Sequence, residues 1–200
     1  MLIFNPLVWL HWAGEIFTTG SIVRGSGLAA YVLLFLIVAG GMALSMQLLS
    51  PRQRTVFLEY HRLISVAAVL MLVVHSLAFF LGKYEFLSWQ DVLIPFWTKR
   101  HTAEIAVGII ATYMMAALIF SSFRSVMKAI RFDNWRLIHF FAFPCYWMAL
   151  YHSVALEKSS NELFLSYVYP ATASLVAALT LLRIWKLIER RFLADESAAG

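Results

Sequence analysis

Residues 59–80 read EYHRLISVAAVLMLVVHSLAFF, and residues 134–155 read NWRLIHFFAFPCYWMALYHSVA. Each stretch is an apolar run of about 20 residues, the length that crosses the hydrocarbon core of a bilayer as a helix. Each also carries a histidine near its start and another near its end. His61 and His75 are 14 residues apart, and His139 and His152 are 13 apart, so four of the six histidines fall in two matched pairs. An ionisable side chain at membrane depth is expensive, so each needs a partner or a task.

The rest of the chain fits this setting. Of its 200 residues, 62% are hydrophobic and 14% are charged, whereas a soluble domain is closer to half apolar and a quarter charged. The composition predicts an all-α integral membrane helical bundle. Five spans are expected, over residues 28–49, 57–81, 103–123, 134–156 and 163–187. Gly40 and Gly41 lie in the first, where small residues permit close helix approach. Residues 50–54 read as a tight basic turn. Residues 83–99 read as an aromatic-rich loop at the membrane surface, and a basic loop with Arg124, Lys128 and Arg131 precedes the fourth span. Residues 1–17 are apolar and aromatic but interrupted by Pro6, His11 and Glu15. They read as an N-terminal interfacial helix or a short sixth span, with the interfacial helix preferred. No clear basic n-region or cleavage site marks a signal peptide. The expected division is 1–27 as interfacial segment and Gly/Ser/Thr linker, 28–191 as a transmembrane domain, and 192–200 as a disordered tail.

The net charge of +5 reports topology in such a protein and does not point to nucleic acid. Eleven Lys and Arg residues fall on the side of the 50–54 turn, the Arg124–Arg131 loop and the C-terminus, against five on the other. The basic side is therefore predicted to be cytoplasmic, in the plasma (inner) membrane. The second and fourth spans then run parallel. His61 and His139 share an inner depth, and His75 and His152 share an outer one.

Two imidazoles from facing helices can supply both axial ligands of one haem iron. Zinc or copper would want further ligands at each depth, and the sequence offers none there. At about 1.5 Å per residue the two layers are about 20 Å apart, one near each membrane face. Fourteen residues return His75 to within about 40° of His61, but 13 leave about 140° between His139 and His152 in a straight helix. Pro144, between them, is the place for a kink that restores the alignment. A single cysteine, Cys145, excludes an intrachain disulfide and a Cys-x-x-Cys-His haem attachment, so the two expected haems are bound non-covalently.

Paired histidines 13 or 14 apart on two helices, with one helix between them, resemble the ferric-reductase-like transmembrane domain superfamily. That superfamily includes haem domains of ferric reductases and NADPH oxidases and the membrane haem subunit of the periplasmic methionine-sulfoxide reductase system. The resemblance covers residues 28–187. It implies a membrane b-type cytochrome that passes electrons across the bilayer through two stacked bis-histidine haems. No glycine-rich phosphate loop follows a strand pattern. The expected protein is thus an electron-transfer subunit without its own flavin or NAD(P)H domain. Its donor would be a flavoprotein or a quinol, and its acceptor a periplasmic or extracellular protein or a small oxidant. The alternative is a haem-free anchor or scaffold subunit, its histidines bonded within the bundle. A transporter lacks the repeated broken spans that such folds use.

Other residues complete the expectation. Arg62, Arg136 and Arg54 are placed for inner haem propionates, and Lys83, Lys99, Arg100 or Lys158 for outer ones; ordinary snorkelling cations explain each of them singly. Phe143, Tyr146 and Trp147 lie between the histidine layers, where aromatic residues line an electron path or fill a core. Cys145 reads as inert and apolar. His11 and His101 read as interfacial. Glu104 suits the start of its helix.

Overall fold

The computed structural model describes residues 18–46, 49–81, 88–156 and 163–199. The expectations for residues 1–17, for Lys83 and for Lys158 fall outside them. Helix α1, Thr19–Ser45, starts where the Thr18 side chain accepts the Ser21 backbone N–H at 3.2 Å. The linker expected up to residue 27 is therefore helix from Thr19 onward. Glycine costs about 1 kcal/mol in a helix interior. In lipid the backbone must satisfy its own hydrogen bonds, and that demand outweighs the propensity.

Helix α2, Pro51–Leu81, also starts earlier than expected. The Ser50 backbone N–H donates to the Gln53 side chain at 2.9 Å, and the Gln53 N–H reaches back to Ser50 Oγ at 3.5 Å. This is a capping box with proline at the first helical position, so the basic turn is the first turn of the span. Helix α3, Trp89–Leu93, is a single short turn in the surface loop. The Ser88 hydroxyl and backbone N–H both donate to the Asp91 carboxylate, at 2.6 and 2.8 Å. They hold that carboxyl below the usual carboxylate range, so the cap persists at neutral pH and is lost only in acid.

Helix α4, Thr102–Ser121, follows the expected third span. The basic loop after it contains a short helix, α5, Arg124–Ile130. The fourth span is two helices, α6, Phe132–Phe140, and α7, Ala142–Leu156. Pro144 has no N–H to give the Phe140 carbonyl. The chain answers with one tighter turn, in which the Phe141 N–H bonds Ile138 O at 3.0 Å before the helix resumes. Pro170 acts likewise on the last span. A π-helical turn, Phe164–Val168, leads into α8, Tyr169–Ala199, as expected where a wider turn accommodates a missing donor. The tail expected over 192–200 is helical to Ala199, since its alanines and glutamate are good helix formers.

The result is an all-α membrane bundle with no strand among the described residues. Among the described residues four helices are long and apolar enough to cross a membrane, and the broken α6–α7 pair accompanies them. Helix α1 is central: it packs along α2 and also against α7 and α8, while α4 packs along α7. Tyr31, Leu34, Val38 and Met42 of α1 meet Ala111 and Leu118 of α4, Cys145 and Tyr146 of α7, and Val176 of α8 in the core. The Tyr31 hydroxyl hydrogen-bonds the Thr172 hydroxyl at 2.5 Å and that of Tyr146 at 3.2 Å. One buried polar knot thus ties α1, α7 and α8. Replacing Tyr31 with Phe removes both bonds and leaves the shape intact. The expected cost is about 1 kcal/mol, read as an earlier unfolding midpoint in a detergent titration.

Candidate functional site

The four histidines of the two long runs meet as two pairs. The His61 and His139 ring centroids are 6.4 Å apart, and those of His75 and His152 are 6.3 Å apart. The break at Phe141 gives α7 a new rotation relative to α6, which lets two histidines 13 residues apart face the same neighbour. The helices that bear these pairs do not pack along each other; each leans on its own partner, α2 on α1 and α7 on α4. The imidazoles reach across the slot between them. Two imidazoles on opposite sides of one metal, each with a bond of about 2 Å, place their centroids about 6 Å apart. An edge-to-face ring contact reaches the same distance. The two cases are separated by what holds the rings.

Each outer histidine is seated in the same way. His75 Nδ1 lies 2.8 Å from the Val23 carbonyl oxygen, and His152 Nδ1 lies 2.8 Å from that of Glu104. A carbonyl can only accept, so both rings carry their proton on Nδ1. That leaves Nε2 as the nitrogen available to a metal, the usual arrangement behind a ligating histidine. The rings also lie against glycines. A Cβ on Gly27 would stand 2.9 Å from the His75 ring, and one on Gly108 would stand 2.4 Å from the His152 ring. In both places the accepting carbonyl is four residues before the glycine, so one helical turn supplies both floor and acceptor.

The inner pair is held differently. His61 faces Gly41, whose Cβ would meet the ring at an ordinary 3.5 Å. His139 is stacked on Trp135 at 4.8 Å between centroids, and the Trp135 indole N–H donates to Ser122 Oγ at 3.3 Å. The Nδ1 atoms of His61 and His139 are buried without a protein partner. Among the described residues no group of three or more His, Cys, Asp or Glu side chains converges as a metal cluster. Each site is therefore a two-imidazole donor set, which suits a metal whose other positions are already filled by a macrocycle.

The remaining predicted residues are scattered. Arg62 and Arg136 are exposed near the inner pair, Arg136 with its guanidinium 6.0 Å from the Phe132 ring centre. Lys99 and Arg100 are exposed on the surface segment before α4. Tyr146 is fully buried in the bundle core, away from solvent. Cys145 is buried with its thiol toward the Ala111 carbonyl at 3.4 Å. His101 caps α4 and lies 3.8 Å from the Glu104 carboxylate, an ion pair when the ring is protonated. Gly27, Gly108, Trp135 and the Val23 and Glu104 carbonyls were not singled out by the sequence. One signal was present: Gly27 and Gly41 are 14 apart, the spacing of His61 and His75 on the antiparallel helix.

A family model described as ferric reductase like transmembrane component matches residues 26–150. The chain belongs to that family. This ferric-reductase-like chain is accordingly a multi-pass membrane protein of an electron-transfer family. The matched stretch contains His61, His75 and His139 and ends just before His152. Neither a curated protein nor a solved structure matches the chain.

The glycine seats of this family member can be tested separately. Gly27→Ala and Gly108→Ala should each push the facing ring away and break its bond to the carbonyl. Gly41→Ala should be tolerated, because its Cβ has room. The measurement is the hydrogen-bonded Nδ1–H proton resonance of His75 or His152 in isotope-labelled protein. Persistence of that resonance in Gly108→Ala would contradict the seat.

Proposed function

We propose that the chain is a di-haem b membrane electron carrier. His61 and His139 would be the axial ligands on the inner side, and His75 and His152 those on the outer side. The observation that carries this reading is the recurrence of one imidazole separation, 6.4 and 6.3 Å, in two layers of a slot between helices that do not pack along each other. Haem b held by these imidazoles would supply one-electron chemistry.

The chain's own residues prepare the slot. The Val23 and Glu104 carbonyls keep the ring proton on Nδ1 of the outer imidazoles, fix their orientation and raise the basicity of Nε2. Trp135 orients the His139 ring by stacking. Arg62 and Arg136, exposed at the inner level, are suited to anionic propionates. The surrounding spans exclude water. Electrons would come from a separate flavoprotein or a quinol on the inner side. They would leave to an outer acceptor protein or small oxidant, with the C-terminus in the cytoplasm of a plasma (inner) membrane protein. The positive-inside distribution of Lys and Arg supports that orientation.

Protein produced with ample haem should show b-type bands in a reduced-minus-oxidised spectrum and about two haems per chain. His75→Ala or His152→Ala should remove the outer half of the signal, and His61→Ala or His139→Ala the inner half. Protein that is folded but binds no haem would overturn the proposal in favour of a haem-free anchor.

A further inference from the structure

Helices α7 and α8 make little contact with each other. Between them lies a groove of about 250 Å³, lined by Phe140, Phe143, Trp147, Thr180, Arg183 and Ile184. Its walls are almost wholly apolar, and Phe140, Trp147 and Ile184 are 56%, 40% and 48% exposed, so it opens toward lipid. Arg183 is the exception. Its guanidinium stands 5.6 Å over the Phe143 ring, half-buried among the aromatic residues. Among the described residues no carboxylate pairs with Arg183. A half-buried cation therefore stands in an apolar groove without a counter-charge, which is unfavourable unless an anion joins it.

We infer that this groove binds an anionic phospholipid. The phosphate is held by Arg183, and acyl chain lies along Phe143 and Trp147. A planar guanidinium matches phosphate oxygens two at a time. The apolar walls explain why the ligand is an amphiphile rather than a free anion. Lys186 follows Arg183 by one turn, and Trp185, 68% exposed, suits the headgroup level. Basic pockets between spans on the cytoplasmic side are where anionic headgroups bind.

The test uses the full chain in phosphatidylcholine nanodiscs, titrated with phosphatidylglycerol and followed by native mass spectrometry. Haem content is measured on the same samples. The expected result is preferential retention of phosphatidylglycerol, weakened about tenfold by Arg183→Gln, as for loss of a charge-assisted contact. Arg183→Lys should recover part of the binding, which separates charge from folding. Equal retention of the two lipids overturns the inference, as does unchanged phosphatidylglycerol binding in Arg183→Gln. Displacement by inorganic phosphate at the same concentration also overturns it, since that marks a simple anion site. Loss of haem in Arg183→Gln with lipid retention intact assigns that arginine to the cofactor and likewise overturns it. Failure of haem loading alone bears on the proposed function and leaves the lipid titration standing.

Discussion

An imidazole at bilayer depth carries two ring nitrogens and has no bulk water to satisfy them. In the outer layer the chain answers with the backbone. His75 and His152 lie against Gly27 and Gly108, and each has Nδ1 against a carbonyl one turn earlier. That contact requires a helix with a glycine floor at the right depth, so α1 must be helical through a stretch rich in Gly, Ser and Thr. It also fixes the pairing of the helices, because α1 has to lie along α2 and α4 along α7 for the rings to be seated.

With those pairs formed, the two histidine helices are held apart rather than against each other. The slot between them is a consequence of the seating. It is bridged by imidazoles at two depths. The inner layer uses aromatic stacking in place of a carbonyl, with Trp135 against His139, and leaves both inner Nδ1 atoms buried without a protein partner. The two layers are therefore alike in ring separation and unlike in the way the rings are held.

Charge is arranged around this apolar frame. The knot of Tyr31, Tyr146 and Thr172 satisfies buried hydroxyls within the bundle. Arg183 departs from the ordinary surface pattern of cations, since it is drawn partly under aromatic cover between α7 and α8. Drift of α8 against α7 would disturb the broken span, α6 and α7, that bears His139 and His152.

The sequence by itself determined the membrane class, the helical architecture and the four histidines as two pairs. These are legible because hydropathy and helical spacing are local properties. It also pointed to Pro144 as the place where a 13-residue spacing had to be corrected. It misread residues 18–27 as linker and 50–54 as a turn, since glycine and proline were weighed by propensity without the bilayer's demand on the backbone or the capping box at Ser50. Only the tertiary structure decided which ring faces which, that the break falls at Phe141, and that glycines and carbonyls from other helices seat the outer imidazoles. Those contacts join residues about 50 apart along the chain. No local pattern encodes them, because they exist only once antiparallel helices have settled into one register.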